Sequence, residues 1–429
     1  MKKSIILAVL VALLMLLSAC AGGSEATDTV TESQRETQIQ TQTQTQPIQV
    51  EIDDGICDIT LSDSGILVEG EVASKEESEA VYTANDIIYY EQGKDFTYGD
   101  GEAQDEHSAQ EASAHTVVHI SKAGVYRVSG KLSKGQIAVD LGKDAKDNPD
   151  AVVTLVLDGM DVICEVAPAV IFYNVYECSS DDADSASKDV DTRSAGANVI
   201  ISDDSVNTVN GSYVAKIYKP ESVVLSGDGT EVEDASKLHK YDGAFYSKMS
   251  MNVDGGEKGT GVLNINAENE GLDSELHLTI NGGIINIKSG NDGINTNEDY
   301  VSVTTINGGE LNIIVTGETG EGDGIDSNGW LVINDGKVMV EACSFSADAG
   351  IDSDMGIYIY GGTVFATGSM LDRIEEDGQN HIVFNLSGKQ GGIDLCIKDA
   401  DGEIIDEIST ANDYSVIVYS NPEDRKSVV

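Results

Sequence analysis

Short runs that alternate apolar and polar residues recur at a regular interval through the C-terminal half of the chain. The runs flank a four-residue turn that ends in glycine. Period-two alternation is typical of β-strands with one buried face, and glycine accepts the positive φ angles of tight turns. The turns occupy residues 253–256, 280–283, 306–309, 333–336 and 359–362. Successive turns are 27, 26, 27 and 26 residues apart, which indicates an internal repeat.

A third short element lies between successive turns. Its members occupy residues 243–247, 271–274, 293–296, 324–327 and 350–353. Three short strands and three turns make one coil, and stacked coils form a parallel β-helix with equivalent residues about 4.8 Å apart. This alignment predicts two interior ladders, one of Ile280, Ile306, Ile333 and Ile359 and the other of Leu272, Ile294, Ile325 and Ile351. No coil can bury its own apolar edge, so the repeat is needed for a core.

Other all-β and repeat architectures fit the pattern less well. Glycine density and β-branched residues exclude a helical repeat, and a propeller blade needs about 40 residues. Segments 119–130 and 152–159 resemble less regular coils, although a β-sandwich remains an alternative for the N-terminal part. After residue 377 longer alternating runs predict a small antiparallel cap over the last open edge. The predicted all-β fold is therefore a single-stranded parallel β-helix over residues 51–376 with a C-terminal β cap over 377–429.

The first 50 residues have the character of a targeting segment and a linker. A cationic start and an apolar run from Ile5 to Leu17 precede Leu-Ser-Ala-Cys, which resembles a bacterial lipobox. The apolar run is shorter than the about 20 residues of a membrane-spanning helix. Residues 1–19 are interpreted as a lipoprotein signal peptide and Cys20 as the lipidated residue; a plain signal peptide or a membrane anchor is the alternative. Residues 20–50, rich in Ser, Thr and Gln, are expected to be a disordered tether.

This interpretation places the protein on the extracellular face of the bacterial cell membrane, with the lipid anchor as its only membrane contact. Acidic residues outnumber basic residues 75 to 26, giving a formal charge of −49. Nucleic acid is a poor partner for such a surface, whereas cations are attracted to it. Apart from Cys20 the cysteines are far apart and lack C-x-x-C spacing, so neither a zinc site nor a disulfide framework is indicated.

Oxygen-bearing side chains accompany the second interior ladder. The residue after each ladder position is expected to point outward, and further aspartates lie just before the glycines of the same elements. Calcium accepts six to eight oxygen ligands with loose geometry, so this pattern predicts calcium sites. The alternative is a solvated acidic face whose side chains bond turn amides. The candidate ligands are Asp273, Asp292, Asn295, Asp323, Asp326, Asp348 and Asp352.

Aromatic residues are expected on an outward face near the turns. Trp330, Tyr358 and Tyr360 alternate with interior residues, as do Met339 and Phe365 beyond the turns. Flat rings with a polar tip on a rigid β surface suit stacking against sugar rings. The alternative is that the C-terminal cap or residues 318–328 cover these rings.

Several segments resemble a family of secreted bacterial carbohydrate-binding proteins. They are KAGVYRVSGKLSKGQIAVDL (122–141), VTLVLDGMDV (153–162), DGAFYSK (242–248) and the GLDS and INGG repeats. The resemblance spans roughly residues 56–421. It implies a right-handed parallel β-helix similar to that of polysaccharide lyases, together with bound calcium. Two acidic insertions, at 99–114 and 177–193, depart from the family pattern.

The function expected from these features is noncatalytic, calcium-dependent binding of a cellulose- or pectin-like polysaccharide. A lyase needs an Arg or Lys base near calcium, and residues 243–371 contain no Arg and only Lys248, Lys258, Lys288 and Lys337. Pairs of carboxylates suitable for a hydrolase are forced by the repeat itself and therefore carry little information. A lyase acting on pectate-like uronans and a structural adhesin with a protein partner remain alternatives.

Overall fold

The computed structural model describes residues 55–398 and 402–422. These residues form 33 β-strands, one five-residue α-helix and two short 3-10 helices, so the chain is all-β with almost no helix. Residues 1–19, Cys20 and the segment 20–50 lie outside the described residues. Among those that are described, no helix has the length and apolar character that a transmembrane span requires.

The N-terminal part contains fifteen strands and all three helices. The helices are α1 (Ala109–Ser113) and the 3-10 helices Ala145–Asp147 and Pro220–Ser222. Ser108 and Glu111 cap α1 reciprocally. The strands are β1 (Ile56–Leu61), β2 (Leu67–Val68), β3 (Glu71–Val72), β4 (Val81–Ala84), β5 (Thr116–Ile120), β6 (Gly124–Leu132), β7 (Gly135–Asp140), β8 (Val153–Cys164), β9 (Val170–Asn174), β10 (Ala197–Ile201), β11 (Val206–Gly211), β12 (Val214–Tyr218), β13 (Val224–Leu225), β14 (Val232–Asp234) and β15 (Lys237–Tyr241).

The repeat region and the C-terminal region contain the remaining strands. Those of the repeats are β16 (Gly243–Ser247), β17 (Met251–Asp254), β18 (Val262–Ala267), β19 (Glu270–Ser274), β20 (His277–Ile280), β21 (Ile284–Ser289), β22 (Ile294–Thr296), β23 (Val303–Ile306), β24 (Glu310–Val315), β25 (Ile325–Ser327), β26 (Trp330–Ile333), β27 (Lys337–Glu341), β28 (Gly356–Ile359) and β29 (Thr363–Gly368). The last four are β30 (His381–Gln390), β31 (Asp394–Lys398), β32 (Ile404–Ser409) and β33 (Tyr414–Ser420).

Most strand pairing is parallel and follows the repeat. Strands β17, β20, β23, β26 and β28 pair in succession, and each places the isoleucine or valine of one turn opposite that of the next. The first predicted ladder is therefore present, with Ile280, Ile306, Ile333 and Ile359 in register and buried. The second ladder is also present, because Leu272, Ile294 and Ile325 pair in register and Ile351 joins them through a single bridge.

Glycine ends each turn because the chain there is both left-handed and crowded. Gly309 has a φ of 89°, and a Cβ at this position would lie 2.7 Å from the carbonyl oxygen of Gly283 in the preceding turn. A side chain would thus be strained twice, by the backbone angle and by the neighbouring coil. This close stacking explains why the glycine recurs with the repeat.

A second sheet positions the candidate site. Its eight strands follow the order β25-β22-β19-β16-β9-β7-β5-β4, and β4 alone pairs antiparallel. Interior residues alternate along each strand with residues on the opposite face. Register aligns one residue of that opposite face from each strand, and we call this set the outer column: Tyr82, His119, Ala138, Ile171, Tyr246, Asp273, Asn295 and Asp326.

The C-terminal strands close one edge of the large sheet. Strand β33 pairs antiparallel with β29 and with β30, while β31 pairs with β32. Phe365 is buried here with Tyr414 and Tyr419 in a separate apolar cluster, so the cap covers this ring rather than leaving it for a ligand. Met339 is partly buried against the same cluster.

Candidate metal centre and aromatic surface

Three carboxylates meet where β15 passes into β16 and β19 runs beside it. Asp242 lies between β15 and β16, whereas Glu270 and Asp273 belong to β19. Pairing of β16 with β19 places Gly243 opposite Glu270 and Tyr246 opposite Asp273, which brings the three side chains together. Each contributes an oxygen atom, and these atoms lie within 4.8 Å of one another. All three residues are buried, so this acidic trio could hold a metal ion.

The hydrogen bonds around the trio leave oxygen atoms unused. Asn295 Nδ2 donates to Glu270 Oε1 at 3.2 Å, and Asn297 Nδ2 donates to Asp273 Oδ1 at 2.7 Å. The second oxygens, Glu270 Oε2 and Asp273 Oδ2, are buried and have no hydrogen-bond partner among the residues that the structure describes, and the same holds for Asn295 Oδ1. A buried unsatisfied acceptor costs about 1–3 kcal/mol, and more when it is charged. The unused oxygens of Glu270 and Asp273, two members of the trio, are acceptors that a hard cation would satisfy.

Electrostatics point the same way. Burial, followed by repulsion from neighbouring carboxylates, raises the pKa of both Glu270 and Asp273 well above ordinary values. Burial also raises the pKa of Asp242, although Lys240 lies 2.6 Å from its carboxylate and opposes the shift. Lys240 and Lys237 both oppose these shifts, but Lys237 is itself paired with Glu275, so the trio retains excess negative charge whenever it is ionised.

The candidate ligands predicted from the sequence fall into three groups. Asp273 and Asn295 lie at the centre of the site. Asp292 and Asp323 instead accept backbone N–H groups of the following coil, from Asp323 at 2.7 Å and from Ala349 at 2.5 Å. Asp348 accepts the N–H of Gly322 at 2.9 Å. For this second group, the bonding to turn amides that was the alternative interpretation is what the structure contains.

Asp326 and Asp352 form the third group and prolong the acidic row beyond Asn295. Burial and then the nearby Asp352 raise the pKa of Asp326 to about 7. Burial and then Asp372 raise the pKa of Asp352 to about 6. Asn295 is buried, whereas Asp326 and Asp352 are half-buried, so the row becomes partly exposed to solvent toward its C-terminal end.

Sequence reasoning missed two members of the trio, Asp242 and Glu270. Each directly precedes a glycine that opens the third element of its coil, as Asp292 and Asp323 do in later coils. The position before that glycine is the sequence signal for both residues. Asp292 and Asp323 in the regular coils were predicted from it, whereas Asp242 and Glu270 in the two coils before them were not.

The predicted aromatic residues lie on a different sheet. The rings of Tyr358 and Tyr360 stack with centroids 5.9 Å apart and an interplanar angle of 29°. The Lys188 ammonium lies 5.2 Å and 5.4 Å from their centroids. Trp330 begins β26 opposite Gly356 and is partly exposed, so it sits on the neighbouring coil and two positions away along the strand.

The group that lies over the tyrosine pair is the Lys188 ammonium, which belongs to the acidic insertion 177–193. It does not come from the C-terminal cap or from residues 318–328. This acidic insertion is fixed to the repeat region at several points. The Thr192 hydroxyl bonds Asn252 Oδ1 at 2.7 Å, and Ser179 Oγ lies 3.0 Å from His277 Nε2. The insertion therefore runs across several coils before it presents Lys188 to the rings.

Comparison with known proteins links the chain to carbohydrate recognition. A family model described as carbohydrate-binding domain-containing protein matches residues 114–382. No curated protein sequence matches the chain. A solved structure, titled "Structure of the polysaccharide lyase-like protein from C. thermocellum, Gadolinium derivative", shares 15% identity with a TM-score of 0.40. The match covers 75% of this chain and 94% of that chain.

Proposed function

Because the chain belongs to the family of carbohydrate-binding domain-containing proteins, we propose that it is a noncatalytic, calcium-binding polysaccharide receptor of the bacterial cell surface. In this proposal its stacked coils form a right-handed parallel β-helix, and lipidation at Cys20 holds it on the extracellular face of the membrane. The partner is a cellulose- or pectin-like polymer.

The observation that carries the calcium proposal is the set of unused buried oxygens on Glu270, Asp273 and Asn295. These three residues and Asp242 would hold the ion. Calcium prefers carboxylate and amide oxygens and tolerates irregular geometry, which this set offers. The bound ion would neutralise the buried carboxylates and so stiffen the coils that carry the polysaccharide surface.

The proposed contact surface consists of Trp330, Tyr358 and Tyr360. The stacked tyrosines are partly exposed, and because Lys188 lies over both rings, a sugar would contact the part of the ring surface that Lys188 leaves exposed. Sugars present apolar ring faces and polar edges, so such side chains complement them. Lys188 adds a cation beside the rings, which favours polymers that carry some carboxylate groups.

A noncatalytic role is supported by the state of the cations near the trio. A lyase would need a neutral amine to remove a proton. Burial alone would lower the pKa of Lys240, but the adjacent Asp242 carboxylate raises it overall, which keeps the ammonium protonated. Lys237 is likewise held in an ion pair with Glu275 at 2.9 Å.

Retention on insoluble polysaccharide tests this function. The mature chain should be retained on cellulose or pectin in calcium, and EDTA should release it. Loss of retention on both polymers and on a glycan array, with and without EDTA, would refute polysaccharide binding. Capture of a protein without any glycan would favour the adhesin alternative, and growth of ultraviolet absorbance from unsaturated uronates would favour a lyase.

Matched variants test the metal site separately. Glu270→Gln and Asp273→Asn keep the side-chain shape and remove charge, whereas Asp335→Asn makes the same change at an exposed turn position. We expect calorimetric calcium binding to be lost in the first two and kept in the third. Equal calcium affinity in all three variants would place the ion elsewhere.

The anchor is tested by cell fractionation. Cys20→Ala should move the protein from the membrane fraction to the medium, because a lipid chain is the only proposed attachment. Continued membrane association of this variant would contradict the lipidation proposal.

A further inference from the structure

A second candidate binding site lies on the same sheet, away from the acidic trio. A cavity of about 270 Å³ opens between the outer face of β5, β7 and β9 on one side and β15 on the other. Its lining includes His119, Asp140, Tyr173, His239, Tyr241 and Lys248. None of them belongs to the metal or aromatic residues discussed above.

One wall of the cavity holds an oriented imidazole. His119 Nε2 lies 2.8 Å from Asp86 Oδ1, and its ring stacks on Tyr82 with centroids 4.5 Å apart and planes 8° apart. The carboxylate and the stacked ring fix the imidazole in position. Its Nδ1 edge has no hydrogen bond within the described residues and remains available to a ligand.

The opposite wall carries a second oriented imidazole. His239 Nδ1 lies 2.6 Å from the Tyr241 hydroxyl, and the Tyr241 ring meets that of Tyr173 edge to face at 5.5 Å. Burial and then the charge of Lys248 lower the pKa of His239, so the ring is neutral near pH 7. Nδ1 is engaged with the Tyr241 hydroxyl, so Nε2 is the ring nitrogen that can bond a sugar hydroxyl group, as donor or acceptor according to the tautomer.

Three further polar groups face the same space. Asn174 Nδ2 donates to Asp140 Oδ1 at 2.8 Å, which leaves the second Asp140 oxygen and the Asn174 carbonyl as acceptors. The Lys248 ammonium has no ion-pair partner among the described residues, although acidic groups greatly outnumber basic ones in this chain. The Lys248 ammonium is therefore available to donate a hydrogen bond to a hydroxyl or ring oxygen of a sugar.

The charges lining the cavity select against anions. The lining contains two carboxylates, those of Asp86 and Asp140, and one ammonium group, that of Lys248. A uronate or a phosphate would meet two carboxylates and one ammonium. An uncharged polyhydroxyl ring would instead find aromatic faces, donors and acceptors without an electrostatic penalty.

We propose that this cavity binds the ring of one neutral hexopyranose residue of a glycan. The volume lies just below the about 300–1,000 Å³ of drug-sized ligand pockets, which suits a single ring. Tyr173 and Tyr241 provide the apolar wall, while His119, His239 and Lys248 bind hydroxyl groups. The inference rests on the proposed function in taking a glycan as the ligand, and it adds a subsite with a preference for uncharged sugar.

Histidine NMR offers a site-specific test. The chain has six histidines, of which His119 and His239 line the cavity whereas His115 and His277 are buried elsewhere. In the folded mature chain labelled with ¹⁵N at imidazole, titration with glucose, galactose, mannose and their short oligomers should shift His119 and His239, and titration with the charged sugars galacturonate and glucosamine should shift them less. His115 and His277 should not respond.

Two variants and a control sharpen this titration. Lys248→Met and Asp140→Asn should each weaken the sugar affinity roughly tenfold, because each variant loses a hydrogen bond to a charged group. The affinity is obtained from the dependence of the shifts on sugar concentration. Lys258→Met makes the same change at an exposed lysine paired with Asp204 and should leave the affinity unchanged. Unaltered circular dichroism confirms that each variant is folded.

The outcomes separate this inference from the proposed function. No shift of His119 or His239 with any sugar in the panel, or stronger shifts with galacturonate or glucosamine, would overturn the inference. Polymer retention without cavity shifts would leave the proposed function standing and remove the subsite. Cavity shifts without retention on any polymer would support the subsite and refute the larger function.

Discussion

The outer column changes character halfway along its length. Its N-terminal part contains Tyr82 stacked on His119, then small and apolar residues, then Tyr246. Its C-terminal part continues with Asp273, Asn295 and Asp326, and the pKa of both aspartates is raised by burial. Backbone pairing is continuous through both parts.

The difference shows what stacking does to unlike chemistry. Neighbouring strands hold equivalent residues about 5 Å apart whatever their side chains. Aromatic neighbours gain about 0.5–1.5 kcal/mol from such proximity. Two carboxylates about 5 Å apart repel by several kcal/mol at an effective dielectric of about 20. In the acidic part this repulsion comes from carboxylates beside the column, from Asp242 on Asp273 and from Asp352 on Asp326. The aromatic part of the column is therefore stabilised by its own contacts, whereas the carboxylates of the acidic part need a cation or protons to offset their repulsion.

The largest expected effect tests whether the two parts share one interior. Ile294→Ala beneath the acidic part and Ile137→Ala beneath the aromatic part both remove a fully buried side chain. Each should lower the free energy of unfolding by about 2–5 kcal/mol, measured in urea with excess calcium. A loss confined to one variant would mean that the two parts do not fold as one unit.

Next in size is the calcium response of the acidic part. In the parent chain calcium at a hundred times its dissociation constant should stabilise the fold by about 2.7 kcal/mol. Asp273→Asn should abolish that increment, while Tyr82→Phe in the aromatic part should retain it. Retention of the increment in Asp273→Asn would erase the proposed distinction between the parts.

A smaller effect per pH unit, at most about 1.4 kcal/mol for one proton, is expected from pH in the presence of EDTA. The folded chain raises the pKa of Asp326 from 3.8 to about 7, so it binds a proton that the unfolded chain releases in this window. Stability should therefore fall as pH rises between these values and level off above them. Asp326→Asn should flatten this decline in a series of thermal melts; an unchanged slope would assign it to other groups.

The smallest effect belongs to the aromatic part. Tyr82→Leu removes the ring stacked on His119 and should cost about 0.5–1.5 kcal/mol beyond the change in buried area. The loss should be the same with calcium and with EDTA, as measured by paired urea titrations. A loss that grows in EDTA would show that the two parts are coupled.

The ladders could be predicted from the sequence because spacing is local information. Ile280, Ile306 and Ile333 recur with the turns, and each turn fixes which neighbour faces inward. The burial of Asp273 could not be predicted in this way, since the cover comes from a non-repeating strand. Lys240 on β15 approaches the trio only because β15 pairs with β12 and leads directly into Asp242.

The candidate sites show the same limit. Asn295 and Asp273 were found through the repeat, whereas Glu270 lay at a recognisable position in a coil of slightly different length. The cavity offered no such pattern, because His119 and His239 come from irregular segments that only the tertiary fold brings together. Tyr358 and Tyr360 were identified, but the insertion that places Lys188 above them has no counterpart in other coils.

The number of residues between successive positions of the second ladder varies from coil to coil. Leu272 and Ile294 are 22 residues apart and Ile294 and Ile325 are 31 apart, yet each pair remains in register. The additional residues lie between the strands, so they do not change the register of strand pairing. A scaffold built in this way can be extended by duplicating a rung or decorated at its corners, so new surfaces can arise by insertion while the interior keeps its alignment.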